Sequence, residues 1–268
     1  MRKIVSCILC AGMLVPIAAA ASGCSSARER DEYVMTLEYF PEERRLAAET
    51  TVTVCNRTQT ALEELKFQLW ANAYREGAKY SPVSELYESA AYYKGESYGG
   101  ITVSAVTGGT FTVAGEDENI LSVKLSSPLY PDEQIKIGMT YEVTLAEVNH
   151  RLGVGEHAVN LSHFYPSLCY YGKDGFAEYV YAPSGDPFVS ECADFEISLT
   201  VPESYTAIFN GTGEYVAQNG KKAYHIVAEN VRDAAFVLGT EFKSLQKTAN
   251  GVPVEYYYFA DTAPETAL

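Results

Sequence analysis

Tryptophan occurs once in the 268 residues, histidine four times and cysteine six times. Basic residues are also scarce: 20 Lys and Arg stand against 35 Asp and Glu, a formal net charge of −15. A field of that sign repels phosphate backbones and excludes nucleic acid as a natural partner. The chain has no glycine-rich phosphate loop, and neither HExxH nor HxxEH. Its one CxxC, Cys7 to Cys10, lies in a segment that reads as removable, so the mature chain offers no zinc ribbon or thioredoxin-like pair. What is present is ordinary for a globular protein: 47% hydrophobic residues and 21% charged, which excludes a disordered, collagen-like or coiled-coil chain. The 21 tyrosines point to strands, and the length allows one large β domain or two small ones.

The first 23 residues read as an address. Arg2 and Lys3 form a positive start, and no charge follows from Ile4 to Ala21. Ala21-Ser22-Gly23-Cys24 then resembles a bacterial lipobox, with Ala21 where such boxes more often carry Leu. The resemblance implies cleavage before Cys24, a lipid on its sulfur, and export to the outer face of a bacterial membrane. Pro16 and the run of alanines argue against a stable membrane span. The mature chain would keep 18 basic and 35 acidic residues, a net charge of −17, with residues 24–32 as a polar tether. Three cysteines would then remain besides Cys24. They allow one disulfide, with Cys169 and Cys192 the pair to test, or none, with buried thiols acting as small apolar residues.

The body shows a two-residue period. Tyr33, Met35, Leu37 and Tyr39 alternate with other residues. So do Leu46, Ala48, Val52 and Val54, with Thr50 in the inward slot between them. Comparable patterns recur at Leu65–Leu69, Ile101–Val106, Thr110–Ala114, Leu121–Leu125, Ile135–Val143, Phe195–Val201, Ala223–Ala228, Ala234–Leu238 and Val254–Phe259. The helix-like stretch of note is Val83–Tyr93, inside a long connection. Short strands with turn residues between them predict an all-β fold, a large sandwich of mainly antiparallel strands over residues 33–260.

Candidate chemistry in that body is thin. His150, His157 and His163 lie close in sequence, but odd spacing on a strand puts His150 and His157 on opposite faces. Solvated or hydrogen-bonded loop histidines account for them better than a metal site does. Asp186, Glu191 and Asp194 fit turn and surface positions. Tyr92-Tyr93, Tyr170-Tyr171 and Tyr256-Tyr257-Tyr258 fit cross-strand packing, or a surface for sugars or peptide. Asn56-Arg57-Thr58 and Asn210-Gly211-Thr212 match the glycosylation sequon, which a bacterial lipoprotein does not normally use.

An ordered set of stretches resembles the N-terminal domain of gluzincin zinc aminopeptidases, the alanyl-aminopeptidase and leukotriene-hydrolase family. It runs from Tyr33-x-Met35-x-Leu37-x-Tyr39 through Asn56-Arg57-Thr58 and sharpens at Leu65-x-Phe67-x-Leu69-Trp70-Ala71-Asn72-Ala73-Tyr74-Arg75. It continues through Ser97-Tyr98-Gly99-Gly100-Ile101, Leu129-Tyr130-Pro131, Arg151-Leu152-Gly153, Asn160-Leu161 and Phe164-Tyr165-Pro166. Gly185-Asp186-Pro187-Phe188, Val201-Pro202 and Arg232-Asp233-Ala234-Ala235-Phe236-Val237 complete it.

The resemblance implies a twisted sandwich or saddle packed beside a thermolysin-like catalytic domain that carries HExxH, GxMEN and the zinc. Neither motif is in this sequence, so the chain is expected to hold no cofactor of its own and to be inactive alone. Residues 261–268 would begin the linker to that missing domain, making the chain a fragment. Its partners would be its own catalytic domain, peptide substrate indirectly, and the membrane through Cys24. The family's sandwich lends one Gln or Glu to the substrate cleft just before its Phe-Pro turn. Ala158–Pro166 has neither, and Asn160 is the nearest polar residue. The competing reading is a freestanding surface lipoprotein whose sheet binds peptide, glycan or a protein partner.

Overall fold

The computed structural model describes residues 30–184 and 188–260. Cys24, the 1–23 leader, residues 24–29 of the expected tether, Gly185-Asp186-Pro187 and the 261–268 linker lie outside the described residues.

The fold is all-β. Its largest sheet has seven strands, in the order Thr212–Gln218, Lys221–Val231, Ala193–Pro202, Asp31–Phe40, Arg45–Cys55, Gln134–Thr144 and Gly100–Val106. One pair among them is parallel, Asp31–Phe40 beside Ala193–Pro202; the other pairs are antiparallel. The period-two pattern decides which side chains go in. Register sets Tyr33 beside Phe195, Met35 beside Ile197 and Leu37 beside Leu199. On the other side it sets Tyr33 beside Val52, Met35 beside Thr50 and Tyr39 beside Leu46. Thr50 is tolerated in this apolar row because its hydroxyl lies 3.0 Å from the hydroxyl of Tyr141, so neither buried oxygen is stranded.

A second sheet, in the order Ser167–Leu168, Leu62–Gln68, Ile120–Leu129 and Gly109–Ala114, supplies Leu65, Phe67, Leu121 and Val123 to the same continuous core. A third, smaller sheet runs Thr206–Phe209, Phe236–Gly239, Val159–Leu161 and Leu152–Val154. It buries Leu161, Phe236 and Leu238. Two short hairpins complete the strands, Tyr171–Gly172 with Gly175–Phe176, and Lys243–Ala249 with Val252–Tyr258.

Within Val83–Tyr93 the α-helix is a single turn, Glu88–Ala91. A five-residue 3₁₀ helix, Trp70–Tyr74, adds to the sequence reading, and all five of its residues are buried. Several strands also lie outside the expected pattern. Thr212–Gln218 and Lys243–Ala249 are exposed along their whole length, so they show no apolar alternation. Leu152–Val154 and Val159–Leu161 are three residues each, too short to show a period.

Candidate functional site

The segment 150–166 and the turn before Phe236–Gly239 meet at the edge of the third sheet. Asn160 sits mid-strand in Val159–Leu161, opposite Gly153 on one side and Val237 on the other. Its Nδ2 donates to the backbone oxygen of His150 at 2.8 Å, clasping the preceding loop to the strand. That loop is fixed again from the other direction. Tyr74 is buried in the 3₁₀ helix, and its hydroxyl lies 2.6 Å from Nδ1 of His150. Burial holds the Tyr74 phenol well above its usual range, so it stays protonated. Burial, and then the nearby Arg151 charge, push His150 below the ordinary histidine value, which favours the neutral ring.

The polar centre of this edge is Asp233. Its Oδ1 accepts from the Tyr165 hydroxyl at 3.0 Å and its Oδ2 from the Ser162 hydroxyl at 2.9 Å. Nδ1 of His163 lies 3.4 Å from the same Oδ2. Asn210 braces the turn: its Nδ2 donates to the Asp233 oxygen at 2.7 Å and its Oδ1 accepts from Ala235 N–H at 2.8 Å. His163 has a left-handed backbone, φ 54°, and its ring stacks on Phe188 with centroids 3.6 Å apart. The Arg151 guanidinium stands 5.2 Å from the centre of that same Phe188 ring.

This constellation holds Ser, His and Asp but is not a nucleophilic triad. Ser162 and His163 both turn to one carboxylate oxygen, whereas a relay needs the histidine between hydroxyl and carboxylate. Its chemistry is that of a preorganised polar cluster over an aromatic floor.

The remaining candidates are dispersed. His157 stacks on Phe259 at 5.1 Å, and His225 lies on the exposed face of Lys221–Val231. Among the described residues no group of three or more His, Cys, Asp or Glu is arranged to hold a metal ion. Asp194 is an ion-pair residue, 2.9 Å from Arg30. Cys169 and Cys192 are each free thiols, so no bridge joins them in this structure. Cys169 is buried with its Sγ 3.8 Å from Gln68 Oε1. Asn56 of the first sequon is buried, its Nδ2 donating to Thr60 and Leu129 oxygens at 2.8 Å each. Tyr256 and Tyr258 stack on one face of their hairpin.

No protein-family profile matches the sequence, and no curated protein matches it either. Solved structures do match the fold. An M1 zinc metallopeptidase from Deinococcus radiodurans aligns with a TM-score of 0.51 at 17% identity, covering 90% of this chain and 52% of that one. A mutant of the Deinococcus radiodurans enzyme bound to a Tyr-Ser-Ala substrate gives 0.50 at 17% identity, over 88% and 50%. A two-domain M1 zinc metallopeptidase mutant bound to L-arginine gives 0.51 at 16% identity, over 89% and 50%. The chain therefore spans about half the length of the solved structures it matches.

Proposed function

We propose that this chain is the non-catalytic N-terminal β domain of a membrane-anchored zinc metallo-aminopeptidase, which supports the catalytic domain and walls its peptide cleft. The observation that carries this reading is the pairing of coverages. About nine-tenths of this chain is accounted for by about half of an M1 zinc metallopeptidase. The ordered stretches from Tyr33 to Val237 support the same assignment. In this reading residues 1–23 are a signal, 24–32 a tether lipidated at Cys24 whose last two residues, Asp31 and Glu32, already pair in the first strand, 33–260 the rest of the β domain and 261–268 the start of the linker. The protein then sits on the outer face of a bacterial membrane.

The zinc would belong to the catalytic domain, where it would polarise the scissile carbonyl and activate water. The part played by this chain is geometric. The edge built from Asn160, His163 and Asp233 is the surface offered to a peptide, with Tyr74 and Asn210 holding its loops still.

The coding sequence beyond Leu268 tests the reading directly. HExxH followed by a downstream glutamate ligand is the expected result. An immediate stop codon would replace it with a freestanding lipoprotein binding module. Cys24→Ala should move the protein from membranes to the soluble fraction, and retention on membranes would count against lipidation. The chain by itself should not release alanine from a chromogenic alanyl amide; chelator-sensitive turnover by the pure chain would overturn the non-catalytic assignment.

A further inference from the structure

The sandwich is open at one end. Where Asp31–Phe40 and Ala193–Pro202 begin and Arg45–Cys55 finishes, a cavity of about 340 Å³ enters between the sheets. Its floor is core: Tyr33, Leu65 and Phe195 are each nearly inaccessible to solvent. Its outer wall is the two-rung hairpin Tyr171–Gly172 and Gly175–Phe176, whose rings meet edge to face at 4.8 Å, with Tyr170 partly exposed beside it.

The rim carries charges of both signs, and they differ in how far they are already committed. Asp31 is spent. Its two carboxylate oxygens take both prongs of Arg57 and the Cys55 N–H. Arg232 is only partly spent: Nη1 donates to the Ser190 oxygen at 2.9 Å, leaving most of a five-donor fork. Ser190 returns the contact, its hydroxyl donating to the Arg232 oxygen at 3.0 Å, so this clasp ties the chain just before Glu191 to the arginine's backbone. Glu191 lines the same mouth, within the electrostatic reach of Arg57 and held by no hydrogen bond to a described residue.

We propose that this mouth binds a free aromatic amino acid. The ring would enter between Tyr170, Tyr171 and Phe176, the carboxylate would meet the Arg232 fork, and the ammonium would meet Glu191. Three features select that class. Small-molecule sites run from roughly 300 to 1,000 Å³, so this one sits at the lower end and takes about one residue. Its aromatic walls favour a ring. A cation with donors to spare and a carboxylate on the same rim favour a zwitterion over the simple anions that a chain of net charge −15 repels. The inference does not rest on the peptidase reading, because it uses only this chain's own mouth.

The test is calorimetric titration of the full chain with four probes: L-phenylalanine, 3-phenylpropionate, phenethylamine and L-alanine. Phenylalanine should bind saturably, and each probe lacking the ammonium, the carboxylate or the ring should bind at least about tenfold more weakly. Arg232→Ala should weaken phenylalanine about tenfold and leave phenethylamine unchanged, which also reports an intact fold. Glu191→Gln should weaken phenylalanine and leave 3-phenylpropionate unchanged. Tyr215→Ala, on the distant edge strand, should change none of them. No saturable phenylalanine binding up to about 10 mM, or binding indifferent to both rim substitutions, would overturn the proposal.

Discussion

Arg57 grips Asp31 with both prongs, Nη1 to Oδ1 at 3.0 Å and Nη2 to Oδ2 at 2.8 Å. The Asp31 side chain is only 5% exposed while that of Arg57 is 38% exposed. The pair thus joins a buried carboxylate to a cation that water still reaches. It pins the start of the first strand to the turn after Cys55, at the mouth of the sandwich.

Removing the cation should therefore cost more than a surface ion pair does. Breaking a fully buried pair costs about 3–5 kcal/mol; with Arg57 partly solvated, Arg57→Ala should cost about 2 kcal/mol. Asp31→Asn combined with Arg57→Ala should recover part of that loss, because no unpaired charge stays buried. Urea denaturation of both variants gives the comparison. Equal stability of the single and double variants would refute a desolvated carboxylate.

The cysteines differ in the same way. Burial, with Glu178 adding to it, pushes the Cys169 thiol up to about 12, so at pH 8 about one molecule in ten thousand carries the thiolate there. Cys192 is half-exposed. Brief treatment of the native protein with an alkylating reagent at pH 8, followed by peptide mapping, should label Cys192 and spare Cys169 until denaturant is added. Native labelling of Cys169 at the Cys192 rate would contradict its burial. A peptide in which the two are cross-linked would favour the disulfide that the sequence left open beside free thiols.

Alternation made the large sheet readable. Met35, Leu37, Ile197 and Leu199 each announce an inward face, and even Thr50 declares its slot by spacing alone. The parallel contact between Asp31–Phe40 and Ala193–Pro202 left no such trace, since register with a strand so far along the chain is invisible to local pattern. The Asp233 cluster is hidden for the same reason. Ser162, His163 and Tyr165 reach a carboxylate about seventy residues away, and neither stretch is unusual in composition. Asn160 was visible as a polar residue, but only the structure shows its amide turned back to His150. Tyr170 and Tyr171 stood out as a pair suited to packing or to a binding surface, but nothing in the sequence sets Phe176 against Tyr171, a contact that only the folded hairpin makes.

Asp233 should be a keystone for both of its donors. Tyr165 is buried, so Asp233→Ala leaves its hydroxyl without an acceptor and also frees Ser162. An unsatisfied buried group costs about 1–3 kcal/mol, and a loss of about 2 kcal/mol is expected. Asp233→Asn keeps an acceptor and should lose less than half of that. Thermal unfolding of the two variants separates a specific hydrogen-bond role from a general tolerance of the turn. Identical midpoints would remove Asp233 from the framework of this edge.

Gly153 faces Asn160 across two short strands and has room for nothing more than hydrogen. A Cβ there would meet Val148 Cγ1 at 2.4 Å and the Val148 backbone oxygen at 2.8 Å. The methyl could turn aside, but the oxygen belongs to main chain beside Asn149 and His150, the loop that Asn160 clasps. Gly153→Ala must therefore displace that loop, and overpacking of this kind costs about 1–3 kcal/mol. The displacement should also lengthen the Tyr74–His150 contact, which relieves the burial that lowers the His150 value. A histidine titration followed by NMR should show the His150 midpoint rising towards the ordinary value in Gly153→Ala, alongside the stability loss. A variant as stable as the parent with an unmoved His150 midpoint would mean that the loop does not depend on this close approach.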